Sequence, residues 1–275
     1  TCIAVPNSVF WAGAKPTYVD IGDDYNLDIA DLEKKISKST KAVIVQHTFG
    51  IPADINSIKE VVKGKNILLI EDCAHSLGSS YNEQKIGTFG DVSFFSFGRD
   101  KVISSVFGGM VTTSNISIFS KVKKEVLELK NPPLAWVYQQ LFHPISMNMI
   151  FPLYESGIGK FVLFAFQKLG LLSRAVYAKE KIGRRPSFFP AKLPGGLAIL
   201  ARNQLRKLKR FNKHRKKIAD YYFKELDGVG LTLPSETLGT IWLRFPVRTK
   251  NAEELFRFAK ENNVLLGDWY KQVVM

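Results

Sequence analysis

Cysteine is scarce in this sequence: of its 275 residues only Cys2 and Cys73 are cysteines. They lie far apart and show none of the close spacings that bind zinc. A disulfide framework and a cysteine-based metal centre are therefore excluded as organising features, and no metal site is predicted. So few cysteines suit a reducing compartment, which makes a cytoplasmic location the expectation.

Long uninterrupted hydrophobic runs are also missing. Residues 131–154 contain no Asp, Glu, Lys or Arg and are rich in aromatic residues, but Pro144 and Pro152 interrupt them. Because a membrane-spanning helix needs roughly 20 consecutive apolar residues, none is expected here. For residues 131–172 a buried core or a subunit contact is the favoured interpretation. Peripheral contact with a membrane surface is the alternative, since aromatic helices flanked by Lys and Arg suit interfaces.

Acidic residues are outnumbered, with 25 Asp and Glu against 39 Lys and Arg and a formal net charge of +14. This excess favours anionic partners, whether nucleotide-linked substrates, nucleic acid or an acidic membrane surface. The basic residues are densest over residues 202–217. Aromatic residues are not interleaved there as on a nucleic-acid platform. We interpret the stretch as the solvated face of one helix and expect no nucleic-acid partner.

Strand-like and helix-like segments alternate through the first half of the chain. Apolar runs of branched or aromatic residues predict strands, and periodic segments predict helices. The expected strands cover residues 15–20, 41–47, 66–72, 92–97 and 109–113, and the expected helices cover residues 5–11, 55–62 and a segment capped by Asp28. The alternation predicts an α/β fold with a mostly parallel sheet. The short last connection allows the final strand to run antiparallel.

The second half of the chain has a different pattern of predicted helices and strands. Residues 197–226 predict one long helix that leads into a second unit. Residues 241–247 predict a strand, residues 252–261 an amphipathic helix, and residues 264–266 the start of a further strand. These segments are typical of a small α/β domain.

One lysine stands out for its position. The aromatic run at residues 92–97 ends at Gly98, and Lys101 follows just past the predicted strand end. Ligands of parallel α/β sheets bind outside the carboxyl ends of the strands. Asp72 ends the neighbouring predicted strand, so the two side chains are expected to lie close together. A structural ion pair and a solvated loop lysine are the alternatives that spacing alone leaves open.

Several short motifs follow one another in a recognisable order. They are Glu71-Asp72-Cys73-Ala74-His75-Ser76-Leu77-Gly78, then Gly87-Thr88-Phe89-Gly90-Asp91, then residues 96–101, and finally Gly108-Gly109. This series resembles the pyridoxal-phosphate sugar aminotransferases of the DegT/DnrJ/StrS type. The resemblance implies the fold type I aminotransferase architecture, with a mostly parallel sheet in the large domain and a smaller C-terminal α/β domain.

The resemblance also implies roles for four residues. Lys101 matches the lysine that forms the Schiff base with pyridoxal 5'-phosphate and then transfers protons. Asp72 matches the carboxylate beside the ring nitrogen, which a negative charge keeps protonated. Ser96 matches the hydroxyl that binds the cofactor phosphate. His75 stands where many relatives carry Gln, near the ring hydroxyl.

The identity of residue 101 separates two reactions within the family. Relatives with histidine at this position dehydrate sugars, so Lys101 favours transamination. The implied reaction transfers an amino group, with glutamate as the expected donor, to a keto group on a nucleotide-linked sugar. The implied setting is polysaccharide or glycoconjugate biosynthesis by a homodimer.

The resemblance suggests a division of the chain and two departures from the family pattern. We expect a cofactor-binding large domain at 1–129, an aromatic, apolar insertion at 130–190, and a connecting helix with an incomplete small domain at 191–275. We also expect that the chain is truncated at both ends, and Cys2 stands where many relatives have an aromatic that stacks on the cofactor. Two alternatives stay open: an inactive protein of the same fold that binds or regulates, and a basic protein that binds membrane surfaces or nucleic acid.

Overall fold

The computed structural model describes residues 2–267. Its helices are α1 (Ala4–Trp11), α2 (Ile29–Lys35), α3 (Ile55–Val62), α4 (Ile116–Glu128), α5 (Leu134–Ile150), α6 (Ile158–Lys168), α7 (Ala178–Lys181), α8 (Gly195–Leu205), α9 (Leu208–Glu225) and α10 (Ala252–Glu261). Its strands are β1 (Ala42–Gln46), β2 (Leu68–Asp72), β3 (Ser80–Tyr81), β4 (Gln84–Lys85), β5 (Val92–Ser96) and β6 (Gly109–Thr112).

A four-stranded sheet in the order β1-β2-β5-β6 forms the centre of the fold. The pairs β1-β2 and β2-β5 are parallel, and β6 pairs with β5 in the antiparallel direction. The predicted α/β class and the mostly parallel sheet are thus confirmed. Strands β3 and β4 form a separate hairpin.

The core beside this sheet follows from the sequence. Val43, Val45 and Leu69 alternate with more exposed neighbours on β1 and β2, and they pack against Ile55 and Ile58 of α3. Each such side chain contributes roughly 1.5–3 kcal/mol by leaving water.

Two aspartates set where α2 and α3 begin. The Asp28 side chain accepts a hydrogen bond from the Asp31 amide at the start of α2, as expected for an N-cap. Asp54 does the same for the Ser57 amide of α3. These caps fix the residues at which both helices begin.

Three predicted strands are wrong, and each has a local reason. Residues 15–20 form no strand among the described residues, because the Asp20 amide donates to the Asp31 side chain and not to a neighbouring strand. Residues 241–247 are irregular because Trp242 has a left-handed backbone with φ of 53°. Residues 264–266 are also irregular, since the Val264 amide donates to the Ala259 carbonyl in the turn that ends α10.

The long helix predicted for residues 197–226 is two helices. It divides between Leu205 and Leu208, where the Lys207 amide donates to the Gln204 carbonyl in a tight three-residue turn. The basic stretch at 202–217 therefore spans the end of α8 and the first part of α9.

The apolar region between residues 130 and 190 contains α5, α6 and α7, and α5 packs on α6 and on the short turn Phe151–Leu153 between them. No helix of the described residues is both long enough and apolar enough to cross a bilayer. The division of the chain at residues 129 and 190 stays a prediction.

Candidate functional site

The candidate site lies at the carboxyl edge of the parallel strands. Strands β1, β2 and β5 end at Gln46, Asp72 and Ser96, and their parallel pairing brings these three ends to the same edge. Lys101 lies in the loop that follows β5. This is the edge at which α/β sheets bind ligands.

Lys101 lies in a partly enclosed position, with 13% of its side chain exposed. Its Nζ atom is 3.2 Å from Nε2 of His75 and 3.6 Å from a carboxylate oxygen of Asp100. The predicted lysine is therefore next to the predicted histidine. The alternative of a freely solvated loop lysine does not fit this environment.

Residues at the end of β1 and just after it contact the other ring nitrogen of His75, Nδ1. The Phe49 amide donates to Nδ1 at 3.4 Å, and the side-chain amide of Gln46 lies at the same distance. The Phe49 ring stacks on the imidazole with a centroid distance of 6.3 Å. Phe49 has a left-handed backbone with φ of 59°, a conformation that costs energy in a residue with a side chain. Strain of this kind is often found at functional sites.

Burial keeps His75 uncharged. Desolvation, followed by the nearby positive charge of Lys101, lowers the pKa of His75 to about 4. The imidazole is therefore neutral at physiological pH. The Phe49 amide donates to Nδ1, and Nε2 lies on the side of Lys101.

Asp72 is a buried carboxylate with few partners. Its Oδ1 accepts the Ala74 amide at 3.0 Å, and among residues 2–267 no side chain donates to it. Burial raises the pKa of Asp72, against the opposing effects of the Ala74 hydrogen bond and the positive charge of Lys101. A buried carboxylate of this kind favours a cationic group placed beside it.

Ser96 and Lys101 lie around Gly98. The Ser96 hydroxyl accepts the Gly98 amide at 3.3 Å. A methyl group on Gly98 would meet Ser96 Oγ at 3.5 Å and Lys101 Cγ at 3.6 Å. The structure thus brings all four predicted residues to one edge of the sheet, and their individual roles remain predictions.

Three arginines hold the loop that carries Lys101. Arg99 donates to the Ser173 carbonyl at 2.6 Å, so the loop is tied to the apolar region. Arg244 donates to the Asp100 carbonyl at 3.3 Å, and Arg215 donates to the Val102 carbonyl at 2.8 Å. The carbonyls on both sides of Lys101 are therefore fixed by guanidinium groups.

The sequence interpretation did not identify these arginines. Arg215 belongs to the basic stretch that was interpreted as a solvated helix face, and for this residue the interpretation is wrong. Arg215 lies between other basic residues of α9, Lys213 and Lys216, so its position gave no signal that it differs from them. Gln46 was also missed, although its position at the end of β1 was a usable signal.

Glu71 supports the site from the opposite face of β2. Its buried carboxylate accepts backbone amides of Gly87, Phe89 and Gly90 at 2.7–2.8 Å and the Ser93 hydroxyl at 3.1 Å. Nε2 of His47 lies at 3.2 Å. Burial alone would raise the pKa of Glu71, but these hydrogen bonds outweigh it and lower the pKa to about 2.

His47, Glu71 and Cys73 place three potential metal ligands within 4.8 Å of one another. The donors around Glu71 already use both of its oxygens, and Nδ1 of His47 accepts the Ala53 amide at 3.1 Å. Burial raises the pKa of the Cys73 thiol, which disfavours the thiolate that a metal needs. Hydrogen bonding explains this cluster without a cation.

A mostly parallel sheet with a lysine and a buried carboxylate at its carboxyl edge is the arrangement that the aminotransferase resemblance implies. The sequence model of the DegT/DnrJ/EryC1/StrS aminotransferase family matches residues 1–148 and 163–275. The chain belongs to this family, as the motifs around Asp72 and Lys101 predicted.

Known proteins agree with this assignment. The chain is 38% identical over 146 residues to GDP-perosamine synthase from Escherichia coli O157:H7, a match that covers 53% of this chain and 39% of that protein. The crystal structure of a DegT DnrJ EryC1 StrS aminotransferase from Brucella abortus has a TM-score of 0.73 at 19% identity and covers 99% of this chain and 63% of that one. At that identity the likeness shows the fold, which is the fold type I architecture.

A third similar protein has a structure that contains a bound ligand. The structure of the E. coli GDP-4-keto-6-deoxy-D-mannose-3-dehydratase with bound hydrated PLP has a TM-score of 0.65 at 21% identity, over 94% of this chain and 60% of that one. The chain thus spans less than two thirds of the length of each of these three proteins.

Proposed function

We propose that the protein is a pyridoxal-phosphate-dependent aminotransferase that transfers an amino group from glutamate to a keto group on a nucleotide-linked sugar. The observation that carries the proposal is the position of the Lys101 amine, 3.2 Å from the neutral His75 and at the same sheet edge as the buried Asp72. The names of two similar proteins refer to GDP-linked sugars, which supports a nucleotide-linked substrate.

The residues present fit the cofactor. Pyridoxal phosphate bonds to a lysine amine and withdraws electrons from the reacting carbon when its ring nitrogen is protonated. Lys101 would hold it covalently, and Asp72 would hold the proton on the ring nitrogen. The Asp72 carboxylate has no side-chain donor of its own among the described residues, so a cationic ring would satisfy it. Ser96 would bind the phosphate.

The chain's own groups would then do three things. The amine of Lys101, once the amino donor has displaced it, would carry a proton to and from the reacting carbon. His75 would keep Nε2 beside the same amine, because Phe49 and Gln46 hold its other nitrogen. The arginine contacts to the loop would keep the lysine stem in place.

The charge and composition of the chain support an anionic substrate and a cytoplasmic location. The high positive charge suits an anionic substrate, and the two cysteines suit the cytoplasm. A homodimer engaged in polysaccharide or glycoconjugate biosynthesis is what the family resemblance implies.

Sugar dehydration is the rival activity, because one similar structure is that of a dehydratase. Lys101 argues against it, since the family resemblance associates dehydration with histidine at this position. An inactive binding protein of the same fold is the second rival.

Borohydride trapping tests the proposal. The chain is mixed with pyridoxal phosphate, reduced and digested, and the modified peptide is identified by mass spectrometry. We expect the label on Lys101 and none in Lys101→Ala. A label distributed over surface lysines, or unchanged labelling in the variant, would refute the assignment.

A second measurement separates the rivals. The chain is incubated with glutamate and a panel of nucleotide-linked keto sugars, and 2-oxoglutarate and amino sugar are measured. Trapping at Lys101 without either product would favour the binding protein, and loss of water from the sugar without amino transfer would favour the dehydratase.

A further inference from the structure

Helix α5 exposes several large apolar side chains although it buries polar ones. Its fully buried positions are the polar residues Gln140 and Ser146 and the apolar Ile150. Its most exposed residues include Leu134, Tyr138, Ile145 and Met149, with side-chain exposures between 59% and 73%. The helix contains no Asp, Glu, Lys or Arg. Water is a poor solvent for such an outer surface.

The four exposed residues form one continuous stripe. They are separated by four, seven and four positions, and these spacings place side chains on the same side of an α-helix. Over its 17 residues the helix is roughly 25 Å long, and the stripe runs along most of it.

The inner side of α5 is fixed, so the stripe cannot turn inward. Gln140 Oε1 accepts the Ser173 hydroxyl at 2.7 Å and the Arg99 guanidinium at 3.3 Å. The indole nitrogen of Trp136 donates to the Tyr177 hydroxyl. Rotating the helix would break these hydrogen bonds and leave the Arg99 guanidinium and the buried Ser173 hydroxyl without this acceptor.

The turn after α5 and helix α6 also expose large apolar side chains. Phe151 in the turn and Phe161 and Phe164 on α6 are between 63% and 71% exposed. On α6 they are interleaved with Lys160 and Lys168, which are exposed as well. Lys160 lies over the Tyr154 ring, with its ammonium 5.4 Å from the ring centroid.

The charge around this surface is mostly positive, with Glu155 as its one exposed acidic residue within 131–190. Residues 131–190 contain seven Lys and Arg against two Glu. One of the two, Glu180, is buried and accepts the Tyr177 amide. Apolar and aromatic side chains beside exposed cations are complementary to a lipid surface with anionic head groups.

We propose that the outer surface of α5 and α6, together with the turn Phe151–Leu153, binds an anionic membrane surface. The helices lie in the plane of the head groups and do not cross, since no described helix is suited to crossing. Gln140 of the docked helix accepts a hydrogen bond from Arg99, which precedes Lys101 by two residues, so the helix is connected to the loop of Lys101. The site would then be held at a fixed height above the lipid.

Vesicle co-sedimentation of the full chain tests this inference. The vesicles contain either phosphatidylcholine alone or equal parts of phosphatidylcholine and phosphatidylglycerol. We expect binding to the anionic vesicles, at least about tenfold weaker binding in Lys160→Glu/Lys168→Glu, and a similar loss in Ile145→Gln/Met149→Gln. The matched control is Leu238→Gln, which replaces an apolar residue that is 92% exposed elsewhere in the chain. This variant should bind the anionic vesicles as the unaltered protein does.

Two outcomes would overturn the inference. One is equal sedimentation of all variants with both kinds of vesicle. The other is absence of vesicle binding combined with a smaller oligomer in Ile145→Gln/Met149→Gln, which would make the surface a contact between copies of this chain. Circular dichroism and thermal unfolding of each variant show that a loss of binding is not a loss of folding.

Discussion

Lys101 Nζ and His75 Nε2 are 3.2 Å apart, and the Phe49 amide donates to the other nitrogen of the same imidazole. Burial and the charge of Lys101 lower the pKa of His75 and keep this ring neutral. Nε2 is therefore an uncharged hydrogen-bond partner that holds the lysine nitrogen without placing a second positive charge beside it. The histidine thus positions the lysine for its proposed reaction.

Replacing His75 tests this relationship. His75→Phe keeps an aromatic ring but removes the hydrogen-bonding nitrogens, so we expect pyridoxal phosphate to bind roughly fivefold more weakly, which corresponds to ~1 kcal/mol for one hydrogen bond. His75→Gln restores a hydrogen-bonding side chain and should recover most of the affinity. Absorbance titration of the cofactor measures both. Equal affinity in His75→Phe and the unaltered protein would contradict the proposed role.

Acid should destabilise the fold through His75. Its pKa is about 4 in the folded chain and ordinarily near 6.5, so between these values only the unfolded state binds the proton. The free energy of unfolding therefore falls as pH is lowered from 6.5 to 4, by at most about 3 kcal/mol, and this contribution levels off below pH 4. Urea unfolding at several pH values measures the slope, which should be smaller in His75→Gln.

Glu71 should matter more for folding than any exposed carboxylate. Glu71→Ala leaves three backbone amides, the Ser93 hydroxyl and His47 without their acceptor, so we expect a loss of about 3–5 kcal/mol in the free energy of unfolding. The control is Glu60→Ala, which removes only an exposed pair with Lys63 and should change little. Comparable losses in the two variants would show that the hydrogen bonds of Glu71 contribute no more than a surface pair.

Arg215 should affect the site without touching a substrate. Arg215→Ala frees the Val102 carbonyl, so we expect the loop to lose about 1.5–3 kcal/mol of stabilisation and cofactor binding to weaken. Lys213→Ala removes an exposed charge from the same helix and serves as the control. Hydrogen exchange should rise in residues 98–108 of the first variant only. Unchanged exchange there would mean that the loop does not depend on this contact.

Local patterns predicted the parts of the fold that local chemistry determines. Strands β1, β2 and β5 are buried runs of branched or aromatic residues, and α2 and α3 begin at aspartate caps, so composition and spacing sufficed. The motifs also led to Asp72 and Lys101. The irregular backbone at Trp242 and the strained turn at Phe49 depend on contacts with distant segments, which spacing along the chain does not reveal.

The loop around Lys101 has a consequence for how the protein folds. Its hydrogen bonds from Arg99, Arg215 and Arg244 join residues that are 74, 113 and 144 positions apart in the chain. Such contacts form only after long segments have been brought together, at a cost in loop entropy. We therefore expect this loop to become ordered late in folding and to loosen early in denaturant, so that a chain with all its helices intact can still lack a functional lysine.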